Sequence, residues 1–268
     1  MRLVVAATAP LGAAVLERIA ARHDVELLVT RPDRPRGRGR RLGAPPAKEA
    51  AERLGVPVLQ PERLTEVPGD APVVVAAYGA LVPDELLGER LWLNVHPSLL
   101  PRWRGAAPVE RAIMAGDTET GVTIHRTTRE LDAGPIAAQR AFSIGPDDDA
   151  GAVYGRAAPL AVDLLDTVLP EPSFEPQAAT GVTYAEKIGS DDRGLDWSRP
   201  AEEVVNRVRA LSPHIGARGT VDGRPLTIWR ARPAREDSLL VVGGVELLEV
   251  QPDGRRRMSA ADYLRGLR

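Results

Sequence analysis

The chain has no cysteine, which excludes disulfides, thiolate nucleophiles, Cys-ligated zinc and iron–sulfur clusters. Aromatic residues are only 4% of the 268 residues, so any core has to be built from Val, Leu, Ile and Ala. Lysine is nearly absent: of 35 basic residues, Lys48 and Lys187 are the only lysines and the rest are arginine. No apolar run approaches the roughly 20 residues needed to cross a bilayer. Met1–Val5 leads straight into a strand pattern rather than a signal peptide, so the chain reads as soluble and cytoplasmic. A net charge of −2 excludes a global polycation, and 43% apolar content excludes global disorder. The length suggests one larger and one smaller domain.

Apolar runs and helical patterns alternate along the first part. Strand signals fall at Arg2–Ala6, Val25–Thr30, Val56–Leu59, Val73–Ala77 and Leu91–His96. Helical signals fall between them at Leu11–Arg22 and Ala47–Leu54, and after them at Ala107–Gly116. That alternation predicts βαβ units and a mostly parallel, Rossmann-like sheet. Two more strands, Val122–Arg126 and Ile136–Phe142, flank the turn Leu131–Pro135, and a long helix is expected over Asp149–Val168. Pro170–Pro176 then reads as an extended, semi-rigid connector. Beyond it come a helix at Ala201–Leu211, short strands with hairpin turns at Asp222-Gly223 and Gly243-Gly244, and a last helix at Ala260–Leu267. The division expected is a catalytic domain over 1–170, a proline-containing linker over 171–184 and a small β-barrel domain over 185–268.

The chemistry concentrates in Asn94-Val95-His96-Pro97-Ser98-Leu99-Leu100-Pro101. Residues two apart on a strand share a face, roughly 6–7 Å apart, so Asn94 and His96 project together. Pro97 and Pro101 stiffen the loop that follows. Open α/β sheets bind ligands beyond the C-terminal ends of their strands, where this pair lies. An amide NH₂ beside a protonated imidazole suits acyl transfer, because both can hold charge growing on a carbonyl oxygen. Histidine can also carry a proton between nucleophile and leaving group. A nearby carboxylate would favour the imidazolium, and Asp132 is the candidate. Taken one at a time, each of these residues also fits an ordinary turn or strand-end role.

Asn94–Pro108, Asn-Val-His-Pro-Ser-Leu-Leu-Pro-Arg-Trp-Arg-Gly-Ala-Ala-Pro, resembles the signature of the folate-dependent formyltransferases. Further matches are spread over the chain: Arg31–Leu42, Val56–Pro61, Ala77-Tyr78-Gly79, Gly121–Ile124, Leu131–Gly134, Thr183–Ile188, Leu195–Ser198, Leu226–Ala231 and Leu248–Pro252 with Arg257–Gly266. Arg102–Pro108 resembles most the branch whose acceptor is the α-amine of methionine on initiator tRNA. The resemblance implies Asn94, His96 and Asp132 as catalytic residues. It implies folate contact by Ser98, Leu99, Leu100 and Pro101, with Tyr78 and Gly79 beside them. The implied donor substrate is 10-formyltetrahydrofolate and the implied partner is initiator methionyl-tRNA. No metal is implied, and a monomer is expected. The second domain is implied to be an oligonucleotide-binding (OB)-like barrel.

Six arginines, Arg31, Arg34, Arg36, Arg38, Arg40 and Arg41, fall within eleven residues opposed only by Asp33. Glycine and proline there break any helix, so a long surface loop is expected. Arg36, Arg38, Arg40 and Arg41 match the family's tRNA-contacting insertion, and arginine suits phosphates and bases. Lys187, Arg207, Arg209, Arg218 and Arg230 are further phosphate candidates.

Two other readings stay open: the same folate site with a sugar-nucleotide or purine-pathway amine as acceptor, and an RNA-binding protein without catalysis. Some positions depart from the family pattern. Ala7-Thr8-Ala9-Pro10-Leu11-Gly12 replaces its usual Gly-Thr-Pro start, and Glu130 and Pro135 flank Asp132. His125 stands where the family more often has an apolar or sulfur-containing residue, and it reads as a structural strand histidine.

Overall fold

A computed structural model describes residues 1–36 and 41–267, with the backbone alone described for Arg36 and Arg41. By packing, the described chain forms two compact units. The first comprises 1–106, 121–141 and 155–184, and the second 107–120, 142–154 and 185–268.

The first unit opens with β1 (Arg2–Ala7), α1 (Pro10–Ala20) and β2 (Asp24–Val29). A hairpin of β3 (Arg34–Arg36) and β4 (Arg41–Gly43) follows, then α2 (Pro46–Leu54), β5 (Val58–Leu59), β6 (Val73–Ala76) and the short α3 (Asp84–Leu87). Next come β7 (Trp92–His96) and β8 (Arg104–Gly105). After α4 (Pro108–Met114), strands β9 (Glu119–Arg126) and β10 (Ile136–Ser143) complete a seven-stranded sheet in the order β10-β9-β7-β6-β1-β2-β5. Strands β5, β2, β1, β6 and β7 are parallel, whereas β9 runs antiparallel to β7. Central parallel strands are covered on both faces and so read as unbroken apolar runs: every residue of β6 is buried. On one face Val4, Val29, Val73, Val75, Tyr78 and Trp92 form a continuous aliphatic and aromatic layer.

Proline at the first position of α1 fits a site whose N–H needs no helical partner. Gly12 lets this helix sit directly on the sheet. A Cβ there would lie 2.4 Å from the Ala76 carbonyl oxygen. The altered segment after β1 is tied down as well, with the Thr8 and Ala9 N–H groups donating to the Ala77 carbonyl at 3.3 and 3.2 Å.

The expected arginine loop is instead a two-stranded antiparallel hairpin where described, pairing Arg34 with Gly43, Pro35 with Leu42 and Arg36 with Arg41. Proline and glycine exclude a helix but are compatible with a two-stranded ribbon, which always has free edges. Arg38 and Arg40 lie outside the described residues. The helix α5 (Ala150–Val168) leads into the proline-rich connector, which is anchored: Ile136 and Glu175 exchange backbone hydrogen bonds of 2.7 and 2.9 Å. The connector ends in β11 (Tyr184–Ala185), which pairs with β8.

In the second unit, α6 (Ala201–Leu211) packs on α4 and on a curled antiparallel, OB-like sheet. Its strands are β12 (Ala217–Val221), β13 (Arg224–Pro233), β14 (Val241–Val242), β15 (Val245–Pro252) and β16 (Met258–Ser259), followed by α7 (Ala260–Arg265). The order is β12-β13-β15-β14, with β16 paired to β15. Val208, Leu211, Ile228, Val245, Leu247 and Val250 fill its core. Asp222-Gly223 and Gly243-Gly244 all have positive φ, as two-residue hairpin turns demand. Among the described residues no helix is long and apolar enough to cross a membrane.

Candidate active site

Asn94 and His96 stand two residues apart at the C-terminal end of β7. The antiparallel β9 places His125 directly opposite Asn94. The turn after β9 brings Asp132 back over both. Two backbone features make that turn. Asp132 adopts φ 50, a left-handed conformation that aspartate tolerates better than most residues. At Gly134 a Cβ would lie 1.8 Å from the Arg126 carbonyl oxygen, so only glycine closes the hairpin.

The four side chains interlock. Asn94 Nδ2 donates to Asp132 Oδ1 at 3.0 Å. The same nitrogen lies 3.0 Å from His125 Nε2. His125 Nδ1 is 3.0 Å from the Arg126 carbonyl, which only an N–H can satisfy, so Nε2 is the acceptor facing Asn94. His96 Nε2 is 2.8 Å from the Trp103 carbonyl and is a donor by the same reasoning. Its Nδ1 faces Asp132 Oδ2 at 3.6 Å. Asp132 Oδ2 also accepts the Gly105 N–H at 2.9 Å. Trp103, whose carbonyl holds His96, itself sits at φ 64, a strained backbone that costs about 1–3 kcal/mol.

Burial and neighbouring groups together decide the charges. His96 is 4% exposed, and loss of water pushes its pKa below 6.5, with the His125 ring adding to this and Asp132 and the Trp103 carbonyl opposing it. Burial also pushes the Asp132 carboxyl up, but the imidazoles of His96 and His125 beside it and the Gly105 N–H together hold it below the usual carboxylate range. The resting pair is therefore a neutral imidazole beside a carboxylate. Asp132 does favour the imidazolium, as expected, but burial of the ring outweighs it. Asn94 requires a correction: both of its amide hydrogens are directed at Asp132 and His125, so in this state the NH₂ is not a donor for a substrate oxygen. An ionised Asp132 can only accept, which fixes the amide's orientation.

The expected folate residues divide into two groups. Ser98 is fully buried and donates through Oγ to the Arg102 carbonyl at 2.7 Å. The Leu100 side chain is also buried, and its N–H and C=O are held by Thr123 and Gln139. These two residues shape the loop. Leu99 and Pro101 are partly exposed, and Tyr78 lines a cavity of about 430 Å³ with Arg31, Arg63, Leu81 and Arg129. Gly79 follows it at φ 76.

Among the basic candidates, Lys187, Arg218 and Arg230 are exposed. Arg207 and Arg209 are committed elsewhere: Arg207 to the Asp192 and Gly194 carbonyls, and Arg209 to those of Gly145 and Asp148 at 3.0 and 2.8 Å. Near the hairpin, the lone acid Asp33 accepts from Lys48 Nζ at 2.8 Å and from Gln60 at 2.7 Å.

An amide, two imidazoles and a carboxylate at the end of a Rossmann-like sheet, followed by an OB-like unit, define a two-part acyl-transfer enzyme. Residues 1–169 match the family model "Formyl transferase" and residues 187–244 match "Formyl transferase, C-terminal domain". The chain belongs to the formyl transferase family. A methionyl-tRNA formyltransferase of Paracoccus denitrificans is 42% identical over 293 residues, covering 100% of this chain and 98% of the relative. The methionyl-tRNA formyltransferase of Methylococcus capsulatus is 41% identical, covering 98% and 96%. Among solved structures, an N-formyltransferase of Helicobacter canadensis in complex with folinic acid and dTDP-3-aminofucose has TM-score 0.68 at 16% identity, covering 93% of this chain and 98% of its own. At that identity the likeness extends to the fold alone.

Proposed function

We propose that this chain transfers the formyl group of 10-formyltetrahydrofolate to the α-amine of methionyl initiator tRNA, with Asn94, His96 and Asp132 carrying the chemistry. The observation that carries the mechanism is the convergence of these three side chains in one buried cluster at the sheet's edge. The acceptor rests on relatives of that name at about two-fifths identity over nearly the whole chain.

A neutral His96 is the state that can act as a base. Its Nε2–H is spent on the Trp103 carbonyl, so Nδ1 holds the free lone pair. The amine attacks the formyl carbon, and its proton passes to His96. The resulting imidazolium faces the tetrahedral oxygen's negative charge and closes the 3.6 Å gap to Asp132. The C–N10 bond then breaks, and the proton moves from His96 to the departing nitrogen. Asn94, its NH₂ fixed by Asp132 and His125, presents Oδ1 as an acceptor for the attacking amine.

Tyr78, Gly79, Leu99 and Pro101 are proposed to face the folate, with Ser98 and Leu100 holding that loop in shape. Arg36, Arg38, Arg40 and Arg41 are proposed to engage the tRNA, together with Lys187, Arg218 and Arg230. The catalytic part is read as 1–170, joined by 171–184 to a tRNA-holding part over 185–268, in a cytoplasmic monomer. The test is transfer of labelled formyl from the folate to charged initiator tRNA, against free methionine and an amino-sugar nucleotide. Labelling of tRNA alone is expected; labelling of the sugar nucleotide instead would move the chain to the other acceptor class.

A further inference from the structure

We infer that the connector is part of the catalytic apparatus, with Gln177 and Thr183 acting as positioning residues for Asp132 and His96. This rests on the formyl-transfer reading above. The two catalytic side chains depend on two turns whose backbones are held at positive φ, Asp132 at φ 50 and Trp103 at φ 64. Each turn is gripped by one connector side chain. Gln177 Nε2 donates to the Asp132 carbonyl at 2.7 Å and to the Gly134 carbonyl at 2.8 Å, bracketing the turn that aims the carboxylate. Its Oε1 accepts from Arg104 Nε at 3.1 Å and Nη2 at 2.7 Å. Thr183 Oγ1 accepts the Trp103 N–H at 2.8 Å, and its carbonyl accepts the Arg104 N–H at 2.9 Å.

Arg104 is 8% exposed, so this is an internal network rather than a surface latch. The amide of Gln177 has both ends satisfied, donors towards carbonyls and acceptor towards a guanidinium, and no other side chain of that size offers the same pattern. All of these groups lie within the first unit. The Gly105 N–H, one residue after Arg104, holds Asp132 Oδ2, so the two turns are joined through the network at both ends. What the clamp fixes is the approach of the carboxylate to the His96 ring.

The test uses the full-length chain with Gln177→Ala, Gln177→Glu, Thr183→Val and Thr183→Ser. Gln177→Glu is the discriminating variant. It keeps an acceptor for Arg104 but turns a carboxylate towards the Asp132 and Gly134 carbonyls. A small misplacement of a catalytic group costs about 100-fold, so kcat should fall about 10- to 100-fold in Gln177→Ala and Gln177→Glu with KM for tRNA unchanged. Thr183→Val should lose less and Thr183→Ser should restore activity. The second readout is NMR titration of His96 in the free protein. The charged and titratable groups facing that ring are Asp132 from the β9–β10 turn and His125 from β9. A retreating Asp132 withdraws attraction from the imidazolium, so the His96 pKa should drop further in Gln177→Ala, which adds no charge of its own. Wild-type kcat in Gln177→Glu together with an unmoved His96 titration in Gln177→Ala would overturn the clamp. If wild-type chain formylates no tRNA, the functional reading fails by itself, while the titration still reports on the clamp.

Discussion

The edge of the sheet around β7 and the arginines of the second unit use polar groups in opposite ways. At the edge, Asn94, His96, His125 and Asp132 come from three separate segments and satisfy one another, the two imidazoles buried and the amide and carboxylate partly so. In the second unit, Arg209 and Arg193 reach for backbone carbonyls and serve as internal fasteners. Arg218 and Arg230 instead remain on the surface. Residue type predicts function in the first region because a buried amide–imidazole–carboxylate set is costly unless fully paired, and it has few structural uses. It does not in the second, where one side chain serves equally as phosphate ligand or strut.

The largest expected effect tests the first region. His96→Ala should lower turnover by about two to four orders of magnitude while far-ultraviolet circular dichroism stays native. Retained turnover would reduce the edge to scaffold. Asp132→Asn comes next. It should lower kcat and move the acidic limb of the pH–rate profile downward, since Asp132 raises the proton affinity of His96.

The same pair sets a stability profile. His96 is buried neutral with its pKa lowered from 6.5, so its contribution is complete above that pH and is lost as pH falls below it. Asp132 has its carboxyl lowered from 3.8, so its contribution holds above that value and disappears as pH falls through the lowered one. Urea unfolding across pH should show both windows, and Asp132→Asn should abolish the lower one.

The smallest effects sharpen the contrast in the second region. Arg209→Ala should destabilise the fold by about 1–3 kcal/mol, because it strands the two carbonyls it serves. Arg218→Ala should leave unfolding unchanged and lower only the salt sensitivity of tRNA binding. Identical behaviour of the two variants would erase the distinction between strut and ligand. Neutralising Arg38, Arg40 and Arg41 together should raise the tRNA KM and flatten its salt dependence.

Much of the fold was legible because buried parallel strands are near-continuous apolar runs, as in Val73–Ala76, and because Asp222-Gly223 and Gly243-Gly244 carry a specific turn chemistry. The convergence of Asn94, His96 and Asp132 was legible through period-two spacing and motif. The hairpin of β3 and β4 was not, since proline and glycine announce only what the backbone avoids. His125 passed as structural because its partner is fixed by strand register, which no local pattern reveals. The neutral resting state of His96 depends on how much water the finished fold removes. Gln177 and Thr183 were hidden for a similar reason: their partners lie some 40 to 80 positions earlier in the chain.

The left-handed backbone at Asp132 narrows how this enzyme can lose its activity. The position carries two requirements at once, a negative charge and a conformation that glycine, asparagine and aspartate adopt most readily. A lineage released from formyl transfer could discard the charge and keep the turn only by drifting to asparagine or glycine. Glutamate, the nearest chemical neighbour, would satisfy neither the reach nor the bend. The residue found at 132 in any divergent copy is therefore a compact indicator of whether it still works as an enzyme.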